Sequence, residues 1–295
     1  PNGAMFSTKR QGFLPELLEE MYDERVLTKN KMIQHRKELE KTAKDDTTKR
    51  KQLEYSITAE NNNQMAKKIA LNSCYGALGN QYFRYFNRDI AEGITTAGQL
   101  SIKWVEKAVN EYMNKLLESD EDYVIAIDTD SIYVTFDALV SKVNPKNPVD
   151  FLDTIAKEKL EPMIHESYED LASYMNAYDN RMHMGREVIA DKAIWTAKKR
   201  YILNVHDSEG VRYKTPRLKL MGIETAKSST PMWCRKKLEQ GIKVVMNETE
   251  HDVWEFITNA KNEFSKLPIE EVSFPRGCQN VTKYSNAASI YKKGT

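Results

Sequence analysis

The stretch VIAIDTDSIYVTF, from Val124 to Phe136, decides how this 295-residue chain is read. Val124–Ile127 and Ile132–Phe136 are runs of β-branched and aromatic residues, the composition of paired strands. Asp128, Thr129, Asp130 and Ser131 lie between them and suit a connecting turn. Two acids inside so apolar a hairpin are expensive if they are buried without partners. One reading is that they are plain turn formers. The other is a metal site. Mg²⁺ takes one or two carboxylates together with substrate phosphates, and such pairs serve two-metal phosphoryl transfer. The tetrapeptide alone does not separate the two.

Working outward, Pro15 with Glu16, Glu19 and Glu20 behind it predicts a helix start, and helical composition continues to about Lys44. Asp45 to Thr48 breaks it and offers caps for a second helix, from about Lys49 to Tyr75, ending near Gly76 and Gly79. The two read as an antiparallel hairpin with arms of roughly 25 residues, about 35–40 Å long. A third helix is expected from about Thr96 to Leu117, with Ile102, Val105, Val109, Tyr112 and Leu116 as a core stripe. After the 124–136 hairpin, residues 149–178 read as helical with a break at Pro162. From Arg186 to Met221 the pattern is strand-like, with a turn at Asp207 to Gly210. Thr230–Pro231 then starts a helix running to about Asn247.

The formal net charge is +1, so any nucleic-acid contact must come from local patches. From Arg186 to Lys227 ten Lys and Arg face five acids, a local excess that suits backbone-directed DNA contact. For Lys214 and Arg217, protection of an edge strand is the alternative. No run approaches the roughly 18 apolar residues of a membrane span, and no membrane partner is expected. The three cysteines, Cys74, Cys234 and Cys278, have no zinc spacing and fit a reduced, intracellular compartment.

The helical hairpin tilts the reading of the acids. Lys68, Asn72 and Tyr75 are spaced four and three apart, on one helical face, and Arg25 and Lys29 are four apart on the other arm. Arg25 and Lys68 are equidistant from the expected tip, so they would stand at one height. Facing cations there suit a triphosphate, the Arg as a fork and the Lys as a point charge. Tyr75 would add a stacking surface. A solvated charged face is the alternative, and it is the expectation for Lys67.

KKIALNSCYG resembles the K-x3-N-S-x-Y-G motif B of family B DNA polymerases, and AIDTDSIYV resembles their D-T-D-S motif C. GREVIADKAIWTAKKRYIL and LKLMGIETAKSSTP are similar to the palm segment with its K-K-R-Y element and to the palm–thumb junction. The likeness is greatest to the replicative polymerases of T-even-type bacteriophages. It implies an α+β fold: an antiparallel palm sheet with packed helices, an antiparallel two-helix fingers hairpin and a partial thumb. The implied boundaries are 1–14 for a palm segment, 15–80 for the fingers, 81–222 for the palm and 223–295 for the thumb.

By the same resemblance Asp128 and Asp130 are metal-site acids, with Asp130 the direct ligand and Glu187 near that site. Lys68 and Arg25 contact the phosphates of an incoming dNTP, with Lys29 in support, and Asn72 and Tyr75 line the nascent base-pair pocket. Lys198, Lys199 and Tyr201 approach the primer or template strand, and Lys219 the primer end. The implied cofactor is Mg²⁺ and the implied partners are primer-template DNA, dNTP and a sliding clamp, in the host cytoplasm. Motif A, D-x-x-S-L-Y-P-S, does not occur in the 295 residues. The chain is therefore expected to be a piece of a longer polymerase, inactive alone. The alternative is a non-catalytic nucleotide- or DNA-binding module that retains polymerase motifs.

Overall fold

The structure is a computed structural model, and it describes residues 2–7 and 9–277. The end of the expected thumb segment, with Cys278, lies outside the described residues. The chain divides into two compact units. The first comprises Pro1–Asp191 and Val205–Arg217, the second Lys192–Asn204 and Leu218–Thr295. The architecture is α+β and 59% helical, with two small antiparallel sheets.

In the first unit, α1 (Phe13–Lys41) and α2 (Thr47–Leu78) form the helical hairpin. With 29 and 32 residues the arms are about 44 and 48 Å long, longer than expected. Gly76 does not end α2, because the chain continues one turn further to bury Leu78 before Gly79 caps it. The tip closes where Arg50 Nη1 donates to the Leu39 and Thr42 carbonyls (3.2 and 3.1 Å), satisfying orphan groups at the end of α1. Asp46 caps α2 by accepting from the Lys49 N–H. Little apolar surface is buried between the arms, with Met32, Leu53 and Leu78 the hydrophobic residues enclosed. Polar pairs fix the register instead: Glu24–Lys67 (2.7 Å), His35–Glu60 (2.9 Å) and Glu38–Lys49 (2.8 Å).

Helix α3 (Arg88–Leu117) begins eight residues before the expected Thr96. Gly93 and the threonines 95 and 96 argue against helix by propensity. Here Gly93 is buried, with a Cβ there only 3.3 Å from Asn2 Oδ1, and both threonine hydroxyls bond back to Glu92 O. The buried stripe of α3 is Ile102, Val105, Val109 and Met113, whereas Leu116 is 43% exposed. Met113 completes the buried stripe, whereas Leu116, on the same face, is left open in the last turn of the helix.

Strands β1 (Val124–Asp128) and β2 (Ser131–Val134) pair antiparallel, with Asp128 opposite Ser131 and a bulge at Ile125. Their apolar side packs on α3 and α6 (Glu161–Tyr174), in a core that includes Val105, Val109, Met113, Tyr123, Val124, Ile164 and Tyr168. After α4 (Asp137–Val143), α5 (Pro148–Ile155) leads into α6 without a break. A π-turn over Ala156–Leu160 takes up the slack, and Pro162 occupies the first turn of α6, where its missing N–H costs nothing.

The second sheet has the order β3 (Val188–Ala197), β4 (Arg200–Ser208), β5 (Val211–Met221), and its strands contribute residues to both units. In the second unit Ile202, Ile223 and Met246 form a small core, and α7 (Met232–Asn247), α8 (Glu250–Phe264) and α9 (Ile269–Val272) complete it.

Candidate nucleotide and metal site

The two acids sit at a tight turn. Asp130 N–H donates to Asp128 O (2.7 Å), an i→i+2 bond, and Thr129 between them is at φ 59°. A β-branched residue at positive φ is an outlier, of the kind that collects at functional sites. The rigid base of the hairpin holds it. Asn110 of α3 accepts from the Tyr123 and Val124 N–H groups (2.9 and 3.0 Å), and Asn114, one turn on, bonds both N–H and C=O of Glu121. Asn110 and Asn114 were not singled out in the sequence, although two asparagines four apart on an otherwise core-facing helix were the available signal.

Among the described residues neither Asp128 nor Asp130 forms an ion pair. Asp128 Oδ1 accepts only a long bond from the Thr129 hydroxyl (3.3 Å). Tyr168, 3% exposed, lies in the core under the turn. Burial pushes its phenol up, and the charge of Asp130 adds to the shift. Two unpaired carboxylates beside a neutral phenol are a donor set that fits a hard divalent cation.

On the helical hairpin, Arg25 and Lys68 are the chain neighbours of the Glu24–Lys67 pair (2.7 Å), at about one height along the two arms. Lys67, expected as a solvated surface charge, is instead a part-buried partner of Glu24. Arg25 is half-buried, and its Nε has no hydrogen-bond partner among the described residues. Lys68, Asn72 and Tyr75 are exposed. Tyr75 lines an open cleft of about 420 Å³ with Gly79, Phe86, Arg88 and Glu92. Lys29 departs from its neighbours, because its ammonium is engaged by Glu209.

Glu187 precedes β3, and its carbonyl accepts from the Glu209 N–H (2.7 Å), so both acids occupy one end of the three-stranded sheet. The Asp128–Asp130 turn belongs to the other sheet. Lys198 and Lys199 form the exposed two-residue loop from β3 to β4, with Lys199 at φ 62°. Lys219 is part-exposed on β5. Tyr201 is 5% exposed, with its ring 6.5 Å from that of Trp195, so its role in this conformation is packing. These four residues lie in the second unit, and Asp128, Asp130 and the residues of the α1–α2 hairpin in the first.

The basic excess of residues 186–227 is smaller than its count suggests. Arg186, Arg200, Arg212, Arg217 and Lys227 are all in ion pairs. Arg217 also lies over the Tyr213 ring (4.4 Å).

A family model described as DNA polymerase family B matches residues 1–291. The chain belongs to DNA polymerase family B. It is 40% identical over 248 residues to the DNA-directed DNA polymerase of Enterobacteria phage T4, covering 79% of this chain and 28% of that protein. To the DNA-directed DNA polymerase of Escherichia phage RB69 it is 39% identical over 236 residues, 75% of this chain and 26% of that protein. A DNA polymerase of Pyrococcus glycovorans is 30% identical over 158 residues, 54% of this chain and 17% of that protein. The family B chain thus spans about a quarter of the length of the phage relatives.

Proposed function

We propose that the chain is the part of a template-directed DNA polymerase that carries the fingers, one half of the metal-binding carboxylates and the start of the thumb. The observation that carries this reading is the strained turn that presents Asp128 and Asp130 with no ion-pair partner among the described residues. Asp130, with Asp128 beside it, would hold Mg²⁺. When bound, such ions stabilise the attacking and leaving oxygens of phosphoryl transfer.

The protein's own residues do the remaining work. Arg25 and Lys68 meet the triphosphate of an incoming dNTP, Arg25 with an Nε that now lacks an acceptor. Asn72 and Tyr75 line the pocket for the nascent base pair, beside the cleft that Tyr75 helps form. Lys198 and Lys199 neutralise phosphates of primer-template DNA without reading its sequence. Lys219 acts near the primer end, Glu187 near the metal site, and a sliding clamp is the expected partner of the whole polymerase.

The test uses the full-length polymerase that contains this chain. Asp130→Asn should abolish primer extension and leave DNA binding within about twofold. Asp130 is exposed, so the loss would not arise from unfolding. Extension at the normal rate would remove the metal-site assignment. The 295 residues alone, given Mg²⁺ and dNTPs, are expected to show no extension, since two carboxylates on one turn are only part of a two-metal site.

A further inference from the structure

Lys29 is one turn from Arg25 on α1, on the face proposed above for phosphate, yet it pairs with Glu209. Glu209 occupies an unusual place. It and Gly210 form the two-residue loop between β4 and β5, with φ 52° and 79°. Both central residues at positive φ define a type I′ turn, whose first position ordinarily takes Asn, Asp or Gly. A glutamate there stands against local preference, which points to a use for its side chain. The turn is also pinned from beneath, because the buried Asp207 accepts from the Gly210 N–H (2.9 Å).

Two further contacts continue along the same face of α1. A Cβ on Gly210 would meet Lys37 Nζ at 3.0 Å, so the lysine lies directly over the turn. Glu40 pairs with Arg217 of β5. Residues 29, 37 and 40 are eight and three apart and share one helical face. Helix α1 therefore meets the β4–β5 hairpin through the charged side chains Lys29, Lys37 and Glu40. The carboxylate of Glu209 and a phosphate oxygen are chemically equivalent partners for an ammonium, and Lys29 cannot fully serve both.

We infer that Glu209 is an internal stand-in for the incoming triphosphate: it holds Lys29 while the site is empty, and a polyphosphate must displace it. The inference rests on the phosphate-binding role proposed above for the fingers cations. Glu209 then lowers nucleotide affinity and couples binding to release of α1 from the β4–β5 turn. A pair of this partial exposure is weak, so a modest effect is expected, about two- to fivefold.

The experiment is equilibrium binding of a fluorescent dATP, with inorganic tripolyphosphate as competitor, to the full-length polymerase that contains this chain. The panel is wild type, Glu209→Gln, Lys29→Met, Lys68→Met and the Glu209→Gln/Lys29→Met pair, each checked for native circular dichroism. Glu209→Gln should bind about two- to fivefold tighter, Lys29→Met more weakly, and the gain from Glu209→Gln should vanish without Lys29. Unchanged or weaker binding by folded Glu209→Gln, or a gain that persists in the pair, overturns the stand-in. If Lys68→Met still weakens binding in that case, the phosphate site itself survives. Absence of binding by wild type and every variant overturns both.

Discussion

Replacing Asp207 by Asn should be the most damaging single isosteric change in the first unit. Its side chain is only 2% exposed and collects three donors: Arg186 Nη1, Arg212 Nε (3.1 Å) and the Gly210 N–H (2.9 Å). Arg186, itself 10% exposed, reaches across to Asp153 of α5, and Arg212 to Asp150. Removing one member of a buried ion pair costs about 3–5 kcal/mol, because the partner's charge is left uncompensated. Arg186 keeps Asp153 and Arg212 keeps Asp150, which argues for the lower end, about 3 kcal/mol. Asp150 is a control in the same network: its side chain is 65% exposed, so Asp150→Asn should cost no more than about 1 kcal/mol. At about 2–4 °C per kcal/mol for a domain of this size, the expected falls in Tm are about 6–12 °C and at most 4 °C. The assay is thermal unfolding at pH 7, with Arg186→Met and the Asp207→Asn/Arg186→Met pair completing a double-mutant cycle. A fall for Asp207→Asn no larger than for Asp150→Asn would refute the reasoning, as would effects that add to within about 0.5 kcal/mol.

The same network predicts a pH dependence. Burial pushes the Asp153 carboxyl up, but Lys157 and Arg186 bond to it and outweigh that, holding it below its ordinary value. A depressed folded value gives stability that is complete above the unfolded value of about 4 and is lost as pH falls through the folded value. Asp153→Asn should therefore flatten the decline of the urea midpoint below about pH 4 while lowering stability at pH 7; an unaltered acid slope would contradict this. Gly222→Ala is expected to cost about 2–4 kcal/mol by urea denaturation, since the residue is at φ 65° and a Cβ would lie 2.3 Å from the Lys199 carbonyl. Wild-type stability in that variant would mean the Lys198–Lys199 loop yields freely.

Elements whose signal is local were legible in the sequence. The β1–β2 hairpin, the β4–β5 turn and helix α7 follow from composition and turn chemistry, and α7 ends at Asn247 as expected. The start of α3 was not legible, because threonine and glycine at 93–96 carry poor propensity and only the contact with Asn2 shows why they are tolerated. That Arg25 and Lys68 stand at about one height was legible because hairpin register is arithmetic in residue number. Lys29 was grouped with them by spacing, but its partner Glu209 is 180 residues away and no periodicity links the two. The basic excess of residues 186–227 was over-counted for a related reason: charge counted along the chain ignores acids such as Glu40 and Asp153 that arrive from other elements. The Asp207 network is of the same long-range kind, and a lone aspartate before a turn looks like an ordinary turn former.

The three tight hairpin loops argue together for how this chain divides stability and function. Each has one non-glycine residue at positive φ: Thr129 at 59°, Lys199 at 62° and Glu209 at 52°. Asn or Gly would be the relaxed choice at such positions, and the left-handed conformation costs other residues roughly 1–2 kcal/mol. In each case the loop carries charge instead: the Asp128–Asp130 pair, the Lys198–Lys199 pair and Glu209. Strain of this size persists only where the surroundings over-determine the backbone. They do so at each loop by separate means, Asn110 and the α3–α6 core for the first, the close approach of Gly222 for the second and the Asp207 carboxylate for the third. The folded body thus fixes loops that would otherwise relax, and the charges they display are the groups used by the metal, DNA and triphosphate roles proposed above.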